Sequence, residues 1–119
     1  MTAAVGPQPA TTEPPAAGPQ RARVMLYCRA GGADRDRVVE AYHEISRSLA
    51  GTPGMLGNEL LRDVLDPESF VVLSEWESLE AFRSWESGSQ HRGTTSPLRP
   101  FQDHSRGRPF GLYGVDAAY

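Results

Sequence analysis

The side chains of this 119-residue sequence with chemistry to offer are few: three histidines, two tryptophans, one cysteine, and a handful of arginines and amides. His91 is the best candidate for a general base, because an unperturbed imidazole titrates near neutrality and can take and return a proton; its ordinary alternative is a surface or helix-capping role. His43, between Tyr42 and Glu44, falls on the solvent side of a helical pattern, and His104 sits in a polar stretch without an evident partner. Cys28 alternates with Val24 and Leu26, the pattern of a small buried apolar residue rather than a nucleophile. Asn58 is unusual as a mid-strand residue, and its amide could hold a phenolate or a peroxide; a one-residue slip in register would put it on the surface instead. Arg29 and Arg62 could neutralise an anionic substrate, or lie at strand ends in solvent or against acids such as Asp63.

The composition removes several function classes. All 12 basic residues are arginine, so no lysine is present for Schiff-base chemistry. Against 15 acids they leave a net charge of -3, and the two signs alternate, as in Asp34-Arg35-Asp36-Arg37, where a nucleic-acid binder would show a basic stripe. One cysteine cannot form an internal disulfide, and no Cys/His cluster has zinc spacing. No Gly-rich dinucleotide fingerprint or metal triad argues for a flavin, nicotinamide or iron site, so no cofactor is expected. No run is apolar enough for a signal peptide or a membrane span, which reads as a cytoplasmic protein with no membrane partner.

The elements that must position these groups follow from periodicity. Residues 1–21, rich in Ala, Pro, Gly and Thr, cannot offset their ordering entropy by burial and read as a disordered tail before a domain over 22–119. A strand over Arg23–Arg29 stops at Gly31-Gly32. A helix capped by Asp34 then carries Val38, Ala41, Tyr42, Ile45 and Leu49 on one face, up to the Gly51-Thr-Pro-Gly54 turn. Strands over Met55–Asp63 and Ser69–Trp76 form a hairpin around Asp66-Pro67. Ser78 opens a second amphipathic helix with Leu79, Ala81, Phe82 and Trp85, which Gly88 interrupts. A shorter helical turn over Ser89–Leu98, a polar loop, and a last strand over Phe110–Val115 complete the order.

That order, β-α-β-β-α-β, is the ferredoxin-like α+β arrangement, a four-stranded antiparallel sheet with both helices on one face. Strand one is apolar on both sides, with Val24, Leu26 and Cys28 alternating against Met25, Tyr27 and Arg29, so both sheet faces need cover. Helices supply one cover, and a second copy of the chain, in a homodimer, would supply the other. A core this small would also gain stability from such a partner.

The run Gly54-Met-Leu-Gly-Asn-Glu-Leu-Leu-Arg62, then Phe70-Val-Val-Leu-Ser-Glu-Trp-Glu-Ser-Leu-Glu-Ala-Phe-Arg-Ser-Trp85, then Ser89-Gln-His91, resembles the antibiotic biosynthesis monooxygenase family over about residues 22–115. Its most specific piece is E-W-x-S-x-E-A-F-x-x-W. The resemblance implies a dimeric α+β barrel in which two sheets pack face to face and each subunit keeps a pocket between its own sheet and helices. The same scaffold hosts quinone-forming oxygenases, haem-degrading enzymes, isomerases, polyketide cyclases and proteins without known activity.

If strand one turns Met25, Tyr27 and Arg29 toward the helices, the pocket wall also takes Leu56, Asn58, Leu60 and Arg62 from the hairpin, with Phe70, Val72, Ser74 and Trp76. Such a mostly apolar wall suits a flat aromatic polyketide. Trp76 stands where quinone-forming members keep an active-site tryptophan whose indole N–H can donate to a substrate oxygen; a plain core role is the alternative. Phe82 stands where some members have Tyr, and Val72 where some have Asn. The haem-degrading members share Trp85, but Met25 stands at their strand-one Asn position and Thr95 at their iron-binding His, so haem degradation is not expected.

The expectation is a cofactor-independent monooxygenase that uses dioxygen to turn a phenolic or anthrone-like intermediate into a quinone. His91 would be the base, Trp76 and Asn58 the donors to developing negative charge, and Tyr27, Arg29, Leu60, Arg62, Val72, Phe82 and Trp85 the substrate contacts. An aromatic polyketide cyclase or isomerase, or a non-catalytic ligand-binding or pathway-assembly subunit, are the alternatives on the same scaffold.

Overall fold

The computed structural model describes residues 20–88 and 91–119, with the side chains of His91 and Arg92 outside the description. Strand β1 (Ala22–Arg29) leads into helix α1 (Asp34–Leu49), strands β2 (Met55–Arg62) and β3 (Ser69–Trp76) form the hairpin, and helix α2 (Leu79–Glu86) follows. A short helix α3 (His91–Thr95) runs into a 3-10 turn over Ser96–Phe101 before strand β4 (Phe110–Gly114). The four strands form one antiparallel sheet in the order β2-β3-β1-β4, the ferredoxin-like topology. The tail expected over residues 1–21 lies outside the described residues except for its end. There, Arg21 accepts the Val115 N–H at 2.8 Å and the Gln20 amide donates to the Val115 carbonyl at 3.1 Å.

Local chemistry accounts for the element boundaries. Helix α1 begins without a side-chain cap: Asp34, expected as the cap, is instead the first helical residue and accepts from Arg37 at 3.2 Å. The Gly31 and Gly32 carbonyls take the first N–H groups, with Gly32 in the left-handed region at φ 59°, so the turn makes the cap unnecessary. Helix α2 has the expected cap, the Ser78 hydroxyl accepting the Ala81 N–H at 3.0 Å. Gly54, at φ 82°, has its α-carbon so close to Ala81 of α2 that any side chain would collide there. The Pro-Gly turn thus seats α2 against the hairpin while the Gly54 carbonyl receives the Glu77 N–H at 2.8 Å.

Register decides which side chains meet the helices, because directly paired residues of antiparallel strands point to the same face. Val24, Leu26 and Cys28 pair with Ser74, Val72 and Phe70, and all six turn toward the helices. The expectation that Met25, Tyr27 and Arg29 face them is overturned: these three lie on the opposite side. Leu56 is a second correction. Met55 pairs with Trp76 and Gly57 with Glu75, so Leu56 is the extra residue of a β-bulge and is turned outward, 53% exposed. Beyond the bulge Asn58 and Leu60 face the helices as expected.

The core sits in the layer between sheet and helices. Val38, Ala41, Ile45 and Leu49 of α1 close on Cys28, Phe70 and Leu98, and a second cluster joins Ala22, Trp76 and Phe82. The other sheet face carries Met25, Tyr27, Leu61, Val71, Leu73 and Tyr113, with Leu61 41% and Tyr113 51% exposed.

Candidate functional site: a cavity between the sheet and the helices

The two clusters do not meet everywhere, and between them lies a cavity of about 190 Å³. Its floor is the sheet, with Val24 and Leu26 from β1, Asn58 from β2, and Val72, Ser74 and Trp76 from β3. Ile45 and Leu49 of α1 form one wall and Phe82, Trp85 and Glu86 of α2 another, while Thr95, Leu98, Gln102 and Phe110 close the remaining side.

Three aromatic rings dominate one end. Trp76 meets Phe82 edge-on at 5.4 Å between centroids and 71° between planes, and lies 5.4 Å from Trp85 at 34°. Phe82 and Trp85 are 6.0 Å apart. Spacing on α2 produces this: positions 82 and 85 are three apart on one helical face, and Trp76 is the last residue of the strand beneath. Offset rings of this kind present flat apolar surface to a planar guest.

The polar groups are sparse and arranged in order. The Trp76 indole N–H, expected as a donor to substrate, is already used: it donates to the Ser74 hydroxyl oxygen at 2.9 Å, two residues back on the same strand. Ser74 lines the cavity with its own O–H still to give, so the donor that the cavity presents is Ser74, with the indole polarising it. Across the β2–β3 pair Ser74 stands opposite Asn58. Asn58 is held from α1 at two points: its Oδ1 accepts from Ser46 Oγ at 3.2 Å, and its backbone carbonyl accepts from the Tyr42 hydroxyl at 3.2 Å. With Oδ1 committed, the Nδ2 donors are the part of that amide left for a ligand.

Of the residues singled out from sequence, Asn58, Val72, Trp76, Phe82 and Trp85 are therefore together on the cavity wall. Leu60 packs against the α1 core instead. Arg62 stacks its guanidinium 5.4 Å from the Phe70 ring centre at the exposed end of the hairpin. Arg29 points away and pairs with Asp66 at 2.9 Å and Glu68 at 3.7 Å; that hydrogen bond holds the Asp66 carboxyl below its ordinary value. Tyr27 is on the far sheet face, its hydroxyl 3.4 Å from that of Tyr113 and its ring under Arg106 at 4.3 Å. The hydrogen bond to Tyr113, with burial adding to it, raises its pKa. Tyr27 and Arg29 were misplaced for one reason, the reversed face of β1. His91 opens α3, and its side chain lies outside the described residues; His43 and His104 are exposed.

Cys28 is fully buried in the core cluster beside the cavity, and burial, with the Asp103 charge adding to it, pushes its thiol up to about 12. It is a packing residue, as its alternation implied. Ser46, Tyr42 and Glu86 were missed from sequence, and Ser74 was seen only as part of the wall. For two of these a signal was available: Ser74 and Trp76 share a strand face at a spacing of two, and Glu86 follows Phe82 by four on the helix. Among the described residues no group of three or more His, Cys, Asp or Glu side chains could hold a metal ion.

A ferredoxin-like α+β domain with an aromatic cavity on its helical side is the class that fold and site define. The profile of the antibiotic biosynthesis monooxygenase family matches residues 22–95, and the chain belongs to that family. Protein SchA of Streptomyces halstedii is 30% identical over 81 residues, which are 68% of this chain and 21% of that protein. A mycobilin-producing haem oxygenase of Mycobacterium tuberculosis is 42% identical over 43 residues, 36% of this chain and 41% of that one. The chain thus spans about a fifth of the length of SchA and well under half of the haem oxygenase. The crystal structure of SnoaB, a cofactor-independent oxygenase from Streptomyces nogalater, superposes with a TM-score of 0.67 at 18% identity, covering 85% of this chain and 97% of that one.

Proposed function

We propose that the chain is a cofactor-independent monooxygenase that oxidises a phenolic or anthrone-like aromatic polyketide to a quinone, acting as a homodimer. The observation that carries this reading is the cavity itself: three aromatic rings at one end, aliphatic walls, and two donors, Ser74 O–H and Asn58 Nδ2, on adjacent strands. Apolar walls bury the rings of a planar guest, and paired donors stabilise the oxygen that becomes an anion when the substrate is deprotonated. The described activity of SnoaB supports the same direction.

The chemistry needs little from the protein beyond that. An anthrone methylene loses a proton, its carbanion is held as an enolate by the donors, and the enolate gives its electrons to dioxygen. The carbon–oxygen bond then forms as a peroxide, and loss of water leaves the quinone carbonyl, so that anthrone plus dioxygen gives anthraquinone plus water. In this reading the proton acceptor stands at the corner between α2 and α3, where His91 begins α3 and Glu86 ends α2. Haem is not the substrate we propose, since Met25 faces away from the cavity and Thr95 brings a hydroxyl rather than an imidazole to its wall. The homodimer would form through the apolar sheet face around Met25, Leu61, Leu73 and Tyr113.

The test is oxidation of 1,8-dihydroxyanthrone by the purified protein with and without dioxygen. Formation of the dihydroxyanthraquinone above the spontaneous rate, abolished by removing dioxygen, is expected. Catalysed change of an uncyclised or isomeric aromatic ketone without dioxygen would replace the oxygenase with a cyclase or isomerase; binding without turnover of either would leave a ligand-binding subunit.

A further inference from the structure

We propose that Glu86 is the proton acceptor of this site, an assignment that rests on the anthrone-oxidising reading above and sharpens it. Among the described residues of the cavity wall Glu86 is the sole ionisable one; the others carry aliphatic, aromatic, thioether, hydroxyl or amide side chains. Its position is imposed by the helix: Phe82, Trp85 and Glu86 are spaced i, i+3, i+4 and share the face of α2 that looks onto the sheet. The outward face takes Glu80, Arg83 and Ser84, of which all three are exposed. Glu86 makes no hydrogen bond or ion pair among the described residues, although Arg83 lies one turn back on its own helix.

Nothing else on the described wall can compete for the role. Facing α2 across the cavity, α1 brings Ile45 and Leu49, the strands bring Val24, Leu26, Asn58, Val72, Ser74 and Trp76, and the last segment brings Thr95, Leu98, Gln102 and Phe110, none of them charged. The step is simple. One C–H bond of the substrate methylene breaks, its proton forms an O–H bond on a Glu86 carboxylate oxygen, and the electron pair stays on carbon, delocalised onto the ring oxygen that Asn58 and Ser74 receive. Dioxygen takes up the electron pair as the C–O bond forms, and the proton passes from Glu86 to the resulting peroxide, which restores the carboxylate; the second C10–H bond and the O–O bond then break, that hydrogen leaving with the distal hydroxyl as water.

The deciding experiment separates proton removal from oxygen chemistry. Exchange of the C10 hydrogens of 1,8-dihydroxyanthrone with deuterium oxide is followed anaerobically by mass spectrometry, and aerobic oxidation of the same compound is followed in parallel. Wild type should accelerate both. Glu86→Gln should lose about 10²–10⁴-fold in exchange and in kcat, with KM nearly unchanged. Glu86→Asp should recover part of both, and Glu80→Gln on the outer face should match wild type. Exchange that survives Glu86→Gln in a folded protein overturns the assignment while leaving the oxygenase reading intact. Exchange dependent on Glu86 without aerobic oxidation would keep the proton acceptor and overturn the oxygenase. A wild type that catalyses neither would overturn both.

Discussion

The hydrogen bond between the Trp76 indole and Ser74 gives the most direct physical test of how the cavity is built. Trp76 is 1% exposed and its N–H donates to Ser74 Oγ at 2.9 Å, so Ser74→Ala orphans a buried donor. Leaving such a donor unsatisfied costs about 1–3 kcal/mol. Ser74 borders the cavity, water entering there can take up part of the N–H, and the low half of that range, about 1–2 kcal/mol, is the expectation. Trp76→Phe removes the donor but also thins the contact with Phe82 and Trp85, and should cost about 1–3 kcal/mol by packing alone. The double variant has neither a donor nor an acceptor left over, so the cycle should show a coupling of about 0.5–1.5 kcal/mol. Urea unfolding at one fixed protein concentration reads these differences as shifts of the midpoint at constant slope. In heat the single Ser74→Ala change corresponds to about 4–8 °C for each kcal/mol lost. A Ser74→Ala protein as stable as wild type, together with additive single changes, would refute the bond and the polarised Ser74 donor with it.

Three further outcomes are expected. Leu73→Glu, at the middle of the open sheet face, should turn the proposed dimer into monomers in sedimentation equilibrium while leaving the far-ultraviolet spectrum unchanged; an unchanged mass would remove that face as the contact. Asp66 is held below the ordinary carboxylate value of 3.8, chiefly by the hydrogen bond from Arg29. Its contribution to stability is therefore present above that value and lost as pH falls through the lowered one, so Arg29→Gln should bring the Asp66 titration, followed by NMR, back up toward 3.8. Cys28, with its thiol pushed up to about 12, should resist Ellman's reagent at pH 8 in the folded protein and react at once in urea; rapid reaction of the native protein would contradict its burial in the core between the sheet and α1.

Much of the fold was legible because each element carries its own signal. The Ser69–Trp76 strand has the boundaries that its β-branched run implied, and Ser78 caps α2 as its position before an amphipathic run required. The facing of β1 was not legible, since Met25 and Tyr27 on one side are as apolar as Val24, Leu26 and Cys28 on the other, and alternation cannot choose between two apolar faces. Only pairing with Phe70, Val72 and Ser74 settles it, and that contact is long-range. The bulge at Leu56 was hidden similarly, because an extra residue beside Gly57 changes register without changing composition. In the site, aromatic residues announced themselves by type. Ser46 and Tyr42 did not, because their roles come from α1 crossing β2 at Asn58, and Glu86 joins the site only because α2 turns the face it shares with Phe82 onto the sheet.

The central claim is that the cavity between sheet and helices brings an aromatic ketone and dioxygen together without a cofactor. It is tested most directly by supplying ¹⁸O₂ to purified, metal-free protein and 1,8-dihydroxyanthrone, and weighing the quinone. One labelled oxygen at the new carbonyl, formed faster than in the absence of protein and slowed when Asn58 and Ser74 are both replaced by alanine, is the result the structure predicts. Quinone formed no faster than in the protein-free control, or formed with undiminished speed by the doubly substituted cavity, would contradict it.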